Sequence, residues 1–393
     1  MNSEEAKTCT FVRLSQKNEY FCNRLKLASF LALIFLRRKY FYQIFQSNKR
    51  KYAPAWIMDY AQFIYLKQKR NIFDFLRFLR YKLKVRSAKE IIEFNIPGEF
   101  CVVVNKGYKI FNFRKNSVFK IFRDDVGLDV IRDEIENLQK AARCNASPKL
   151  LSWNIDERGY EEEYLRGFND FTRNALDTGN FLKKFRASVA PILEAIMFCD
   201  NPQQVEAKTH YNCRLSKLLQ VMNDGIYDEG QKEKIKHFID DIHCRQNLQN
   251  FFEQKIYLLY SHGDFCPANF VNTADGPQII DWEGAQTRSA LFDFYSYFFY
   301  RPVHQVYTFD NLSEEIMAGL NILSEQIYGI SPEISENLST HARLYRHIYY
   351  VERICMLLAR QKQDTKLDIS AIVLRFVEAY HRFEKHSGSH HPF

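Results

Sequence analysis

Paired cysteines, long apolar stretches and low-complexity sequence are all missing from this 393-residue chain. Its nine cysteines are odd in number and scattered, and no two stand as Cys-x-x-Cys. That argues against a disulfide framework or a zinc site and for reduced thiols in a cytosolic protein. The apolar run Leu27 to Leu36 is broken only by Ser29 and is too short for a membrane-spanning helix, which needs about 17–25 residues. A secretory signal is not expected either. Arg37-Arg38-Lys39 follow the run where small residues would suit cleavage, and Glu4-Glu5 precede it. With 14 Gly, 10 Pro and no internal repeat, low complexity is excluded; 46% hydrophobic residues at this length suit a globular protein of two or three units.

Charge is present but unevenly placed. Residues 1–90 hold 20 Lys and Arg against 6 Asp and Glu, a net +14, whereas the other 303 residues hold 35 against 41. A basic arm on a mildly acidic body calls for an anionic partner. Within the arm, Tyr40 to Phe45 and Phe73 to Tyr81 mix aromatics with cations on expected helices. Such helices can lie on an anionic membrane surface. Equally, they can pack their apolar side on the rest of the chain and leave the cations in water. No nucleic-acid module is visible, so nucleic acid is not the expected partner.

The chemistry concentrates at Ser261-His262-Gly263-Asp264-Phe265-Cys266-Pro267-Ala268-Asn269 and at Ile279-Ile280-Asp281-Trp282-Glu283. Gly and Pro shape the first segment as a loop. Tyr257 to Tyr260 before it and Phe270 to Asn272 after it read as strands. A turn at Ala274 to Pro277 then leads to Gln278-Ile279-Ile280, which delivers Asp281 at a strand end. A loop Asp and Asn thus face a strand-end Asp across a hairpin. Phosphoryl transfer from ATP needs such a set: a carboxylate to take the proton of the attacking hydroxyl, and amide and carboxylate oxygens to hold magnesium. The plain alternative is a surface loop whose Asp and Asn serve turn geometry.

At these residues the chain resembles the aminoglycoside phosphotransferase and choline kinase superfamily, the small-molecule branch of the protein-kinase-like fold. The pattern shared is His-Gly-Asp-x-x-x-x-Asn followed by Ile-Asp-Trp/Phe-Glu/Asp. The resemblance implies Asp264 as catalytic base and Asn269 and Asp281 as magnesium ligands. Asp281 to Ala285, Asp-Trp-Glu-x-Ala, looks more like choline and thiamine kinases than like protein kinases. Two positions depart from the pattern: Cys266 stands where many relatives have His, and Ala268 where they have Gly. Protein kinases place a Lys at the position of Cys266. Phe292-Asp293 is similar to a later pair whose Asp braces the catalytic loop; an ordinary acid at a helix N-terminus would look the same.

The resemblance also makes demands upstream. Ser117 to Arg123 alternates and is β-rich, and Lys120 stands where the family keeps a phosphate-neutralising lysine. Glu134, with Leu138, matches its helical partner; Glu136 points elsewhere, because residues two apart share no helix face. The other reading of Lys120 is a strand lysine facing solvent. Phe100 to Val104 and Ile110 to Phe113 read as paired strands around a turn with one glycine, Gly107, in place of a glycine series. Gly107 would cover the phosphates, or simply serve a hairpin. Glu161 to Gly167 resembles the hinge strand, where the backbone near Tyr164 and Leu165 would meet the adenine edge; the alternative is an edge strand guarded by charge.

The expected fold is α+β and two-lobed, protein-kinase-like. A basic helical extension covers 1–90, an antiparallel-sheet N-lobe 91–165, a mainly helical C-lobe 166–385 and a flexible tail 386–393. Helical periodicity marks 170–199, 212–222, 229–256, 312–328, 339–362 and 367–385. The rings of Phe292 to Arg301 could wall a quaternary ammonium group or a sugar, or be a helix buried beneath the site. The implied activity is transfer of the γ-phosphate of ATP, with Mg2+, to a hydroxyl on a non-protein acceptor. The acceptor would be a sugar of a membrane-linked glycan or lipopolysaccharide, or a choline-like amino alcohol. The expected location is cytoplasmic, with possible peripheral attachment to the membrane. The alternative is a membrane-associated scaffold without activity.

Overall fold

The computed structural model describes residues 9–13, 19–22, 91–165, 178–223, 228–245, 253–304, 312–363 and 369–390. The chain forms two compact units. The first takes residues 1–135 and 148–168, and the second takes 136–147 and 169–393.

Eight antiparallel strands build the first unit: β1 Cys9–Arg13, β2 Glu19–Cys22, β3 Ile91–Phe94, β4 Phe100–Val104, β5 Gly107–Asn112, β6 Ser117–Phe122, β7 Leu150–Asn154 and β8 Gly159–Glu163. Their order across the sheet is β3-β1-β2-β4-β5-β6-β8-β7. Aromatic and β-branched residues dominate β4 to β6, as a pleated and half-buried surface favours. In β6 the alternation buries Val118, Lys120 and Phe122 on one face. Helix α1, Leu128–Arg143, begins in this unit and ends in the second. Ile131, Ile135 and Leu138, at helical spacing, form its buried stripe, and Glu134 lies among them. Glu136 is exposed, as its position two residues on requires.

The helical reading of the basic extension fails at its start. Cys9–Arg13 and Glu19–Cys22 are strands inside the sheet, with β1 between β3 and β2 and with β2 against β4. Phe11, Tyr20 and Cys22 belong to the same core as Phe100, Ile110 and Phe111. The physical reason is β propensity: Cys-Thr-Phe-Val-Arg and Glu-Tyr-Phe-Cys can bury aromatic rings against a sheet that lacks inner strands without them. The remaining expectations for the arm, including Leu27–Leu36, Tyr40–Phe45 and Phe73–Tyr81, lie outside the described residues, as do 391–393 of the tail; the flexible-tail reading of 386–393 fails at its start, because the helix that opens at Ile369 continues through His390. Among the described residues, no helix is long and apolar enough to cross a membrane.

The second unit is mainly helical. Helices α2 Thr178–Lys184, α3 Ala190–Met197, α4 Ala207–Asn223, α5 Glu229–Arg245, α6 Phe292–His304, α7 Leu312–Tyr328, α8 Pro332–Thr340, α9 Ala342–Gln363 and α10 Ile369–His390 enclose two small sheets. The first sheet runs β13-β10-β9, from β9 Gln203–Glu206, β10 Lys255–Ser261 and β13 Gln286–Ser289. The second is the hairpin of β11 Phe270–Thr273 and β12 Gly276–Ile279. The helix expected over 229–256 therefore stops at Arg245, and Lys255 opens the strand that enters the catalytic motif. The rings of α6 resolve to the buried reading: Phe292, Phe294, Tyr295, Tyr297, Phe298 and Phe299 are all in the core. The described cysteines are free thiols.

Because β1 is an inner strand, Phe11→Ala is expected to lower the stability of the first unit by about 3–5 kcal/mol. Urea denaturation of the full chain measures this, and a dispensable N-terminal arm would leave the midpoint unmoved.

Candidate active site

The residues singled out in the sequence fall in both units, and each set belongs to its own unit. In the first unit, strand alternation turns Lys120 inward, where it is 3% exposed. A buried ammonium demands a partner. Lys120 Nζ makes a short hydrogen-bonded ion pair with Glu134 Oε1. The Tyr160 hydroxyl donates to the same oxygen at 2.8 Å, and Lys106 Nζ stands 3.8 Å from Glu134 Oε2. The Lys120 ammonium also lies 5.0 Å from the centre of the Phe122 ring. Lysine and glutamate are therefore brought together as the motif implied, and the solvent-facing reading of Lys120 fails. Lys106, in the β4–β5 turn, was not anticipated; a lone turn lysine gives no sequence signal.

Gly107 has a packing reason to be glycine. A Cβ there would stand 1.9 Å from the Ile121 carbonyl oxygen across the sheet. Tyr164 is less available than expected. Its N–H donates to the Asn116 carbonyl at 2.9 Å, and its ring packs edge-on against Phe113. This amide is thus committed and cannot also serve an adenine edge. The hinge expectation is left to the Tyr164 carbonyl and to Leu165, which is partly exposed.

In the second unit, β10 leads into the loop carrying Asp264. The loop turns sharply at Gly263, whose φ of +83° belongs to the left-handed region. A Cβ there would stand 2.3 Å from the Gly284 carbonyl oxygen and 2.6 Å from Arg288 Nη1. His262 is fully enclosed. Its Nε2 faces the Ile280 carbonyl at 2.9 Å, and its Nδ1 accepts from the Asp264 N–H at 3.2 Å. These partners select the neutral tautomer with hydrogen on Nε2. Burial accordingly pushes its pKa below the usual histidine value, against the pull of nearby Asp293 and Asp264. Trp282 closes one side: its indole N–H donates to the Ile279 carbonyl at 2.9 Å, and its ring meets His262 edge-on at 4.7 Å.

Asn269 returns its amide to the base. Nδ2 donates to the Asp264 carbonyl at 2.9 Å and reaches Asp264 Oδ2 at 3.5 Å. Its Oδ1 is thereby turned away from Asp264. The hairpin then carries the chain to Asp281: Phe270 pairs with Ile279, and the Ile280 N–H donates to the Asn269 carbonyl at 3.0 Å. Asp281 is exposed and adopts φ 68°, ψ 58°, a left-handed conformation that is uncommon for a non-glycine residue. Asn269 and Asp281 offer an amide and a carboxylate oxygen on neighbouring ends of one hairpin. Hard oxygens from only two side chains suit magnesium, which keeps waters and phosphate oxygens for its other positions. Among the described residues, no group of three or more His, Cys, Asp or Glu could hold a metal without such help.

Asp293, in the first turn of α6, braces the loop. Its carboxylate accepts from the Ser261 hydroxyl at 2.9 Å, the His262 N–H at 2.6 Å and the Gly263 N–H at 3.0 Å. Arg288 and Arg353 add to the frame. Arg288 Nη2 donates to the Gly284 carbonyl at 2.8 Å. Arg353 Nη1 donates to the Gly263 carbonyl at 3.0 Å, and Nη2 lies 3.4 Å from Asp264 Oδ1. Neither arginine stands in a motif, so neither was found from sequence. Cys266 is inert here, since burial pushes its thiol up to about 12.

No protein-family model matches the chain, and no curated protein matches it significantly. Similar solved structures include choline kinase LicA from Streptococcus pneumoniae, with 17% identity over 72% of this chain and 91% of that one, at a TM-score of 0.46. A choline kinase from Cryptosporidium parvum Iowa II shares 15% identity over 75% and 89%, with a TM-score of 0.48. A thermostable mutant of aminoglycoside phosphotransferase APH(4)-Ia shares 14% over 72% and 90%, with a TM-score of 0.40. At such identities, activity has to be read from the residues themselves.

Asp293→Ala would strand three buried donors. It is expected to cost at least about 3 kcal/mol, from roughly 1–3 kcal/mol per unsatisfied group. Thermal denaturation against the parent chain checks this, and an unchanged midpoint would remove Asp293 as the brace.

Proposed function

We propose that the chain is an ATP- and magnesium-dependent phosphotransferase that moves the γ-phosphate to a hydroxyl of a non-protein acceptor. The observation that carries the reading is the loop and hairpin that present Asp264, Asn269 and Asp281 in one stretch of chain, with the backbone of Asp264 and Asn269 already hydrogen-bonded. Asp264, with a side chain 32% exposed, is placed to orient an acceptor hydroxyl and take its proton. Asn269 Oδ1 and the Asp281 carboxylate would hold magnesium, and magnesium when bound neutralises charge on the phosphates. Lys120 would contribute a fixed positive charge to the phosphates, and Glu134, hydrogen-bonded by Tyr160, would keep that ammonium in place. Gly107, the Tyr164 carbonyl and Leu165 are the remaining candidates for contact with the nucleotide. A scaffold without activity would have no use for a half-exposed carboxylate gripped by its own loop.

For the acceptor, the site favours a sugar hydroxyl over a quaternary ammonium. Of the α6 rings that could have walled a cation, all but the partly exposed Tyr300 are buried, and the charged group beside Asp264 is a guanidinium. The basic arm adds a reason to look for the sugar on an anionic, membrane-linked glycan, with the chain held peripherally at the membrane surface.

The test is magnesium-dependent transfer from γ-labelled ATP to a panel of free sugars, glycolipids in anionic vesicles, choline and ethanolamine. Asp264→Asn is expected to lower turnover at least about a hundredfold, the scale of losing a general base. Equal turnover in parent and variant would refute the assignment.

A further inference from the structure

The catalytic loop carries no cation of its own next to the base. The nearest loop side chain of interest, Cys266, is a buried neutral thiol. Positive charge arrives instead from α9, 89 positions along the chain. We propose that Arg353 is a positioning residue that clamps the Gly263 carbonyl and the Asp264 carboxylate in one grip, locking the base against the backbone of its own loop. This rests on the reading of Asp264 as the base.

Four observations support the clamp. The first is its reach: one guanidinium nitrogen meets the Gly263 oxygen at 3.0 Å, the other meets Asp264 Oδ1 at 3.4 Å. A planar fork holds two acceptors in a fixed, pre-organised geometry, which the rotatable donors of an ammonium do not. The second is complementarity. Asn269 Nδ2 approaches the other carboxylate oxygen, Oδ2, at 3.5 Å, so the base is held from both sides. The third is support. The residue before it, Glu352, is fixed by His210 Nε2 at 2.8 Å and by the Ser289 hydroxyl at 2.5 Å, which pins this turn of α9 to α4 and β13. The fourth is enclosure. The Arg353 side chain is only 13% exposed, so the guanidinium is largely kept from bulk solvent. It nevertheless stays charged: burial works against the charge, and the nearby Tyr349 and Asp264 more than compensate.

A residue needed only for folding would lower the amount of native protein and leave the native fraction fully active. A clamp acts on the chemical step. Misplacing a reacting group can cost roughly a hundredfold. Arg353→Ala is therefore expected to lower kcat for magnesium-dependent phosphate release from ATP by about that factor. The KM for ATP should stay within about twofold, as for a group that acts in the transition state only. Added guanidinium chloride at millimolar level should restore part of kcat in Arg353→Ala, where sodium chloride does not. If Arg353→Ala does not fold, Arg353→Lys decides the matter: it keeps the charge but loses the fork, and kcat should fall severalfold at unchanged KM and unchanged melting temperature. Parental kcat in Arg353→Ala or, failing that, in Arg353→Lys overturns the clamp. So does a loss in Arg353→Ala that simply follows its folded fraction and ignores guanidinium. Asp264→Asn is assayed alongside. If it turns over normally, the assignment of the base has failed and the clamp falls with it; if it is inactive while the Arg353 variants are normal, the clamp alone has failed.

Discussion

An irregular loop can hold a carboxylate half-open to solvent only if its own backbone is satisfied from within. That constraint organises the second unit. Between His262 and Cys266 the chain lies outside helix and strand, so its polar groups need other partners. The Asp293 carboxylate takes the N–H groups of His262 and Gly263, the His262 ring joins the Asp264 N–H to the Ile280 carbonyl, and Asn269 and Arg353 cover the carbonyls of Asp264 and Gly263. Buried backbone groups left unpaired would each be expensive. With them paired, the loop has one conformation, and Asp264 inherits it. The left-handed turns at Gly263 and Asp281 are supported by the same frame.

The first unit solves a related problem with one ion pair. Strand alternation places Lys120 between Val118 and Phe122 on a buried face, where an unpaired ammonium would be untenable. Glu134 answers it from α1, and Tyr160 ties down the carboxylate. Breaking either partner would leave an uncompensated charge in the core, a loss of about 3–5 kcal/mol for a buried pair. The pair is therefore structural and, in the proposed chemistry, also the source of fixed charge for the phosphates.

The site was more legible in the sequence than its supports were. Asp264, Asn269 and Asp281 lie in short segments whose spacing already implies a hairpin, and the resemblance singled out Lys120 and Glu134, although strand alternation alone left Lys120 free to face solvent. Their supports come from far along the chain. Arg353 sits 89 positions after Asp264 in an ordinary amphipathic helix, and Asp293 read equally as the brace of the resemblance or as any acid opening a helix. The strands at Cys9–Arg13 and Glu19–Cys22 were hidden for the same reason: β1 pairs with Ile91–Phe94, about eighty residues away, and the basic composition around it reads as helix. The committed amide of Tyr164 depends on the Asn116 carbonyl across a turn, which no pattern in the hinge segment reveals. The buried rings of α6 were ambiguous because a dense aromatic run has the same composition whether it walls a pocket or fills a core.

The central claim is that the ends of one hairpin hold magnesium against a triphosphate. Calorimetric titration of a non-hydrolysable ATP analogue tests it most directly, with and without magnesium, on the parent chain and on Asp281→Ala. Magnesium should tighten the analogue at least about tenfold in the parent, the loss expected when a metal-site residue is removed, and should have no such effect in the variant. The same magnesium dependence in both proteins, or none in the parent, would contradict the account.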